Sequence, residues 1–213
     1  MSGAPAPGLT TQKKSLHASE RDTPRVQHAR EAYRQRITAL DLRRLKFVAE
    51  SGVNLAMTRL YGRAPAGERA IGSVPQNYGQ NVTILGSLGV QGLEAVMTVD
   101  GATDTEVFRT YVKRVLGPTL TPGDIVVMDN LGAHKAVGVQ QAIARRGARL
   151  LYLPPYSPDL SPIEPCWSKL KTALRKAKAR TRAALDAAIA EAITTVSHTD
   201  AWGWFKHCGY SIQ

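Results

Sequence analysis

The sequence predicts an α/β domain, a mixed sheet flanked by helices, and three observations lead there. Hydrophobic residues make up 43% of the 213-residue chain, the usual share for a globular protein with a full core. Two β-branched stretches, "NVTILGSLGV" (81–90) and "LEAVMTVDG" (93–101), flank Gln91-Gly92, which is a hairpin pattern. From residue 124 onward, short apolar runs alternate with helix-period stripes. That alternation describes β-α-β-α units, so antiparallel and parallel pairs share one sheet.

The elements follow in order. Residues 1–20 are rich in Ala, Pro, Gly, Ser and Lys, the composition of a flexible arm. A basic linker helix is expected over 21–42. Asp22 or Thr23 can cap it and Pro24 suits its first turn, where a missing N–H costs nothing. Val26, Ala29, Tyr33, Ile37 and Leu40 form its apolar stripe; Arg25, Arg30, Arg34 and Arg36 form a charged face, toward solvent or toward a partner. The main domain is expected over 43–213. It opens with strand 45–53, ending in a Ser-Gly turn, and a basic, Gly/Pro-punctuated loop, "RLYGRAPAGERAIGS". After the hairpin comes a helix over 104–117, with Asp104 as its cap and Phe108, Tyr111, Val112 and Val115 on one face. Strand 124–129, a helix near 135–146 and strand 148–154 follow. The "PPYSPDLSP" loop then leads to helices near 162–179 and 181–197, with Trp202, Trp204 and Phe205 packing as a cap.

Charge narrows the function classes. Lys and Arg number 28 against 17 Asp and Glu, a net +11, which suits a polyanionic partner, most commonly nucleic acid. Cys166 and Cys208 are far apart and form no ligand-spaced cluster, against a zinc site or disulfide framework. No apolar run reaches the ~18–20 residues of a membrane span, and the start lacks a signal-peptide core. A soluble, cytoplasmic protein without a membrane partner is the expectation.

Two carboxylates carry the chemistry. The run Ile125–Met128 ends on Asp129, at the carboxyl end of a strand, where open α/β sheets gather reactive groups; "DN" equally fits a turn. Glu164 stands at the mouth of a helix whose entry is fixed by three prolines. If Ser161 caps that helix, Glu164 is at the position that returns a bond to the Ser161 N–H, a role compatible with metal binding. Positions 164, 168, 171, 175 and 178 fall on one helical row, reading Glu, Ser, Lys, Arg, Lys. Ile163, Trp167, Leu170, Leu174 and Ala177 form the inward stripe beside it. A phosphate backbone could follow such a ridge toward a cation held at its top. Carboxylates suit Mg²⁺, with Mn²⁺ as a substitute, and a two-ion site ordinarily needs a third carboxylate.

These residues carry a resemblance. "VVMDNLGAHK" and "LPPYSPDLSPIEPCWSKLK" resemble the second and third catalytic blocks of insertion-sequence-630-type transposases, relatives of the mariner elements. Thirty-four residues lie between Asp129 and Glu164, the spacing of that branch. "ESGVNLAMTRLYGRAPAGER" looks like the first block. The resemblance implies a ribonuclease-H-like fold, Mg²⁺ as cofactor, and metal-dependent DNA cleavage and strand transfer at element ends. It places Asp129 and Glu164 as metal ligands and catalytic residues; the basic ridge and the net charge make Lys169, Lys171, Arg175, Lys178 and Arg63 the expected DNA contacts. It also implies transposon ends and target DNA as partners, and a homodimer on DNA.

There are two departures. Where the family has its first catalytic aspartate, "FVAESG" has Ala49. Glu50 is adjacent, but successive strand residues point to opposite faces. Asp100 and Asp104 are doubtful substitutes. Full-length relatives also carry helix-turn-helix domains ahead of the catalytic domain, for which residues 1–40 have no room. Impaired cleavage, with end recognition by a second chain, is one expectation; a non-catalytic DNA-binding remnant is the other. His134, five residues past Asp129, reads either as a water- or phosphate-orienting group or as a solvated loop histidine.

Overall fold

The structure, a computed structural model, describes residues 16–210. Most of the expected N-terminal arm lies outside them. Five strands form one sheet in the order β3-β2-β1-β4-β5: β1 (Leu45–Val53), β2 (Val82–Gly89), β3 (Gly92–Asp100), β4 (Ile125–Met128) and β5 (Arg149–Tyr152). β1 pairs antiparallel with β2 and parallel with β4. The mixed sheet therefore changes direction at β1. The helices are α1 (Pro24–Thr38), α2 (Thr105–Tyr111), α3 (Val137–Ala144), α4 (Ile163–Ala177), α5 (Arg182–Thr194) and α6 (His198–His207).

Alternation along β1 divides two apolar layers. Leu45, Phe47 and Val53 face α1, α4, α5 and α6 in the larger core. Val48 faces α2 and α3 in the smaller one, with Leu85, Val126 and Met128. Apolar matter on both faces explains why β4, "IVVM", is buried at all four positions and reads as an unbroken apolar run. The α4 stripe does as its spacing predicts from Ile163 through Leu174, while Ala177 is exposed.

Several boundaries differ from expectation. Ser51 and Gly52 are not a turn: both pair with β2, at Ile84 and Thr83. The cross-strand ladder outweighs the local turn preference of a Ser-Gly pair. Helix 104–117 is regular only to Tyr111, then relaxes into a π turn over Val112–Leu116 and a tight turn over Gly117–Thr119. Helix 181–197 stops at Thr194, and a separate helix, α6, follows. Ser197 and Asp200 cap it reciprocally, a signal present in "SHTD". Phe205 is buried edge-on to Phe47 at 5.4 Å, while Trp202 and Trp204 are partly buried against the same core.

One glycine matters for the site. Gly86 pairs with Ala49 across the β1–β2 ladder, and an added Cβ there would lie 3.0 Å from the Trp167 ring. The missing side chain lets the α4 indole lie close over the sheet. Opposite Gly86 the β2–β3 register slips, and Ala95 takes φ 51°. Such a bulge bends and twists the strands, next to the position that matters most.

Candidate active site

The β1–β4 register brings together the two strand ends that carry Ala49 and Asp129. Phe47 is level with Val127; carried two residues on, Ala49 stands level with Asp129. The loop after β5 folds back so that α4 begins across from both. Ala49, Asp129 and Glu164 line one cleft of 470 Å³. Asn130, Tyr156, Ser157 and Pro158 are among its other walls. Asn130 Nδ2 donates to Leu153 O at 2.6 Å, tying the two strand ends.

Asp129 is half-exposed, and its Oδ1 accepts from the Leu131 N–H at 2.9 Å. A tight turn over Ala133–Lys135 brings His134 back beneath it. His134 Nδ1 lies 2.6 Å from Asp129 Oδ1 and its Nε2 lies 3.4 Å from Glu50 Oε1. The Nδ1–Oδ1 pair is within ionic contact, although Nδ1 makes no aligned hydrogen bond. His134 is 1% exposed and packs on Phe108 with ring centroids 4.2 Å apart. It is not a solvated loop histidine. Burial alone would lower its pKa; the Asp129 and Glu50 carboxylates outweigh burial and lift it to about 9. In turn Asp129, which burial would raise, is held below the ordinary carboxylate range by His134 and the Leu131 N–H.

Glu164 departs from the capping role. The Ser161 N–H donates to Pro158 O, the Glu164 N–H to Ser161 O, and α4 has no side-chain cap. The prolines start the helix without one, which leaves the Glu164 carboxylate to the cleft. Its pKa is raised: the surrounding protein desolvates it even though its tip is open, Lys171 counters that, and Asp129 adds to it.

The other carboxylates lie elsewhere. Glu50 points away from the cleft lining, to His134. Asp104 caps α2, accepting from the Val107 N–H at 2.8 Å. Asp100 pairs with Arg182. Among the described residues no three His, Cys, Asp or Glu side chains gather as a metal-binding group. The cleft thus has two hard-oxygen donors and a methyl. That set fits one Mg²⁺-like cation whose remaining ligands are water and phosphate; it falls short of a two-ion site.

The expected DNA contacts separate into two groups. Lys171 and Arg175 line a recess beneath residues 52–60. Arg175, Lys176 and Arg59 also line a larger groove of 830 Å³ with Leu60 and Tyr61. Arg63 is exposed on the same 54–81 segment. Two expected contacts change character. Lys169 also lines that groove, but its Nζ is engaged by Asp200 at 2.5 Å and Thr195 O at 2.8 Å, so it ties α4 to α6. Lys178 lies past the end of α4 in a left-handed conformation, φ 53°, which takes it off the helical row. Sequence reasoning also missed Arg30, which is buried rather than solvated and binds the cleft wall at Ser157 and Asp159.

The family model described as "DDE superfamily endonuclease" matches residues 44–186, more than half the chain. The chain belongs to the DDE superfamily endonucleases. No curated protein sequence matches it. Among solved structures, this DDE chain is similar to the Mos1 transposase paired-end complex with left transposon end, at 16% identity and a TM-score of 0.75, over 95% of this chain and 64% of that one. It is similar to the Mos1 mariner paired end complex with Mn, at 16% identity and 0.71, over 95% and 64%. The catalytic domain of Mos1 mariner transposase is covered in full, by 94% of this chain, at 15% identity and 0.66. The fold is therefore the ribonuclease-H-like one, and the chain spans less than two thirds of the Mos1 chains in these two paired-end complexes. No described helix is long and apolar enough to cross a membrane.

Proposed function

We propose that this chain is the catalytic portion of a transposase, built for divalent-cation-dependent DNA cleavage and strand transfer at element ends and impaired at that step by Ala49. The observation that carries the reading is the convergence of Ala49, Asp129 and Glu164 on one cleft. Asp129 and Glu164 would hold the cation. When bound, a hard divalent cation supplies Lewis acidity toward phosphate oxygens. The chain's own residues do the rest. His134 fixes Asp129 from beneath, Lys171 balances the charge of Glu164, and Arg175, Lys176, Arg59 and Arg63 receive the DNA backbone. The Mn of the similar Mos1 paired end complex supports Mg²⁺ or Mn²⁺ as cofactor.

With a methyl at position 49, one anionic ligand is missing. Even losses around metal ligands cost about 10–100-fold, so loss of a ligand itself costs ~2.7 kcal/mol or more at ~1.36 per decade. A second reading draws on the same methyl: a non-catalytic DNA-binding remnant that keeps the basic face alone. The DNA partners are element ends and target, with a homodimer as the working assembly. Mn²⁺-dependent nicking of element-end DNA separates the two readings. The proposal expects near-inert native protein and measurable nicking by Ala49→Asp. No nicking by either, with DNA binding intact, selects the remnant.

A further inference from the structure

Arg30 is a charged side chain with almost no contact with water, and its partners are 127 and 129 residues away. Its Nη1 donates to Ser157 Oγ at 2.6 Å and Asp159 Oδ1 at 3.0 Å, and its Nη2 donates to Asp159 Oδ2 at 2.7 Å. Arg21 adds a 3.1 Å contact to the same carboxylate. Ser157 lines the cleft, as do its neighbours Tyr156 and Pro158. Tyr156 has φ 54°, a conformation non-glycine residues avoid and that persists only where the surroundings over-determine it. The segment 153–161 is pinned at three points. Asn130 holds Leu153 O, Arg30 holds Ser157 and Asp159, and Tyr210 donates to Leu160 O at 2.6 Å.

We propose that Arg30 is a positioning residue for the cleft: through its fork to Ser157 and Asp159 it sets the wall carrying Tyr156 and makes α1 part of the site. Stability alone does not explain the fork, since well-packed apolar residues commonly replace a buried ion pair at no loss. A bidentate guanidinium adds direction. Its consequence is mechanical: a shift of α1 at Arg30 is felt at the Ser157 wall of the cleft that Asp129 and Glu164 also line. Its effect on turnover rests on the reading of this cleft as the place of DNA cleavage; the hold on the wall does not.

Amide hydrogen exchange on the full chain tests it, with Arg30→Lys and, as a volume-conserving second variant, Asp159→Asn. Lysine keeps the charge and loses the fork. The wall amides Leu160 and Ser161, which bond to Ser157 O and Pro158 O, should exchange at least tenfold faster, while those of Val126–Met128 hold their rates. In an Ala49→Asp background, Mn²⁺-dependent nicking turnover should fall roughly tenfold or more at unchanged DNA affinity. Equal acceleration of wall and β4 amides, or none in the wall, would overturn the proposal and leave an ordinary stabilising ion pair. If Ala49→Asp nicks nothing while exchange stays confined to the wall, the positioning stands and the cleavage reading alone fails.

Discussion

At the scale of single residues, the site is defined by side chains the fold itself does not use. Glu164 makes no hydrogen bond to its own helix entry, and its surroundings disfavour its charge. Glu164→Gln should therefore leave thermal stability within about 0.5 kcal/mol of native or slightly above it, the range of substitutions without structural duties. Divalent-cation affinity should drop. Calorimetric unfolding with and without Mn²⁺ checks both halves, and a destabilised variant with intact Mn²⁺ affinity would return Glu164 to a structural role. Asp159 is the opposite case. Burial would raise its pKa, but the Arg30 fork outweighs burial and holds it below the ordinary value. A depressed carboxylate contributes stability that is present above its unfolded-state pKa and lost as pH falls through the lower folded value. Acid unfolding of the native chain should thus carry a contribution from below about pH 3.8 that Asp159→Asn lacks. Parallel acid limbs in the two proteins would remove Asp159 from the account.

Among the elements, α4 does two jobs on two faces. Its inward stripe was legible because Ile163, Trp167, Leu170 and Leu174 keep strict three-and-four spacing. Its outward row was legible only in part. Sequence shows Lys169 as one basic residue of α4 but not the arrival of Asp200 31 residues on, and periodicity cannot show that the helix ends before Lys178. The same limit hid Arg30. As one arginine among four on an amphipathic helix it reads as solvated, and nothing local announces a partner in the "SPDLSP" loop. The capping alternative for Glu164 fails for a related reason: Ser161 has the right spacing, but the backbone of the proline turn satisfies those N–H groups first. The two lysines should now behave differently. Lys171→Ala with Arg175→Ala should reduce the salt dependence of DNA binding by roughly 0.9 per lost phosphate contact. Lys169→Ala should leave that slope alone and cost about 1 kcal/mol of stability, given the partial exposure of its ion pair. Fluorescence-anisotropy titrations across salt, beside thermal melts, distinguish them; a slope change in Lys169→Ala would put that lysine back on the DNA.

For the whole molecule, what matters is how a mixed sheet assembles a site from three distant blocks. Patterning was enough for the sheet, because "IVVM" demands cover on both faces and the Gln91-Gly92 hairpin sets β2 against β3. The neighbourhood of Ala49 was legible as well, since strand alternation puts position 49 on one face and Glu50 on the other. Invisible in sequence were the His134 link joining Glu50 to Asp129 beneath the cleft, and the Gly86–Trp167 contact that packs the floor. On the proposed reading, the cleft holds two of three required carboxylates, and Ala49 stands where the third would be. Calorimetric titration of Mn²⁺ into native protein and Ala49→Asp tests it most directly. Affinity should rise at least ten- to hundredfold in Ala49→Asp, by analogy with losses around metal ligands, and Glu164→Gln in that background should reverse the gain. Equal Mn²⁺ affinity in native protein and Ala49→Asp, with both folded, would contradict the claim.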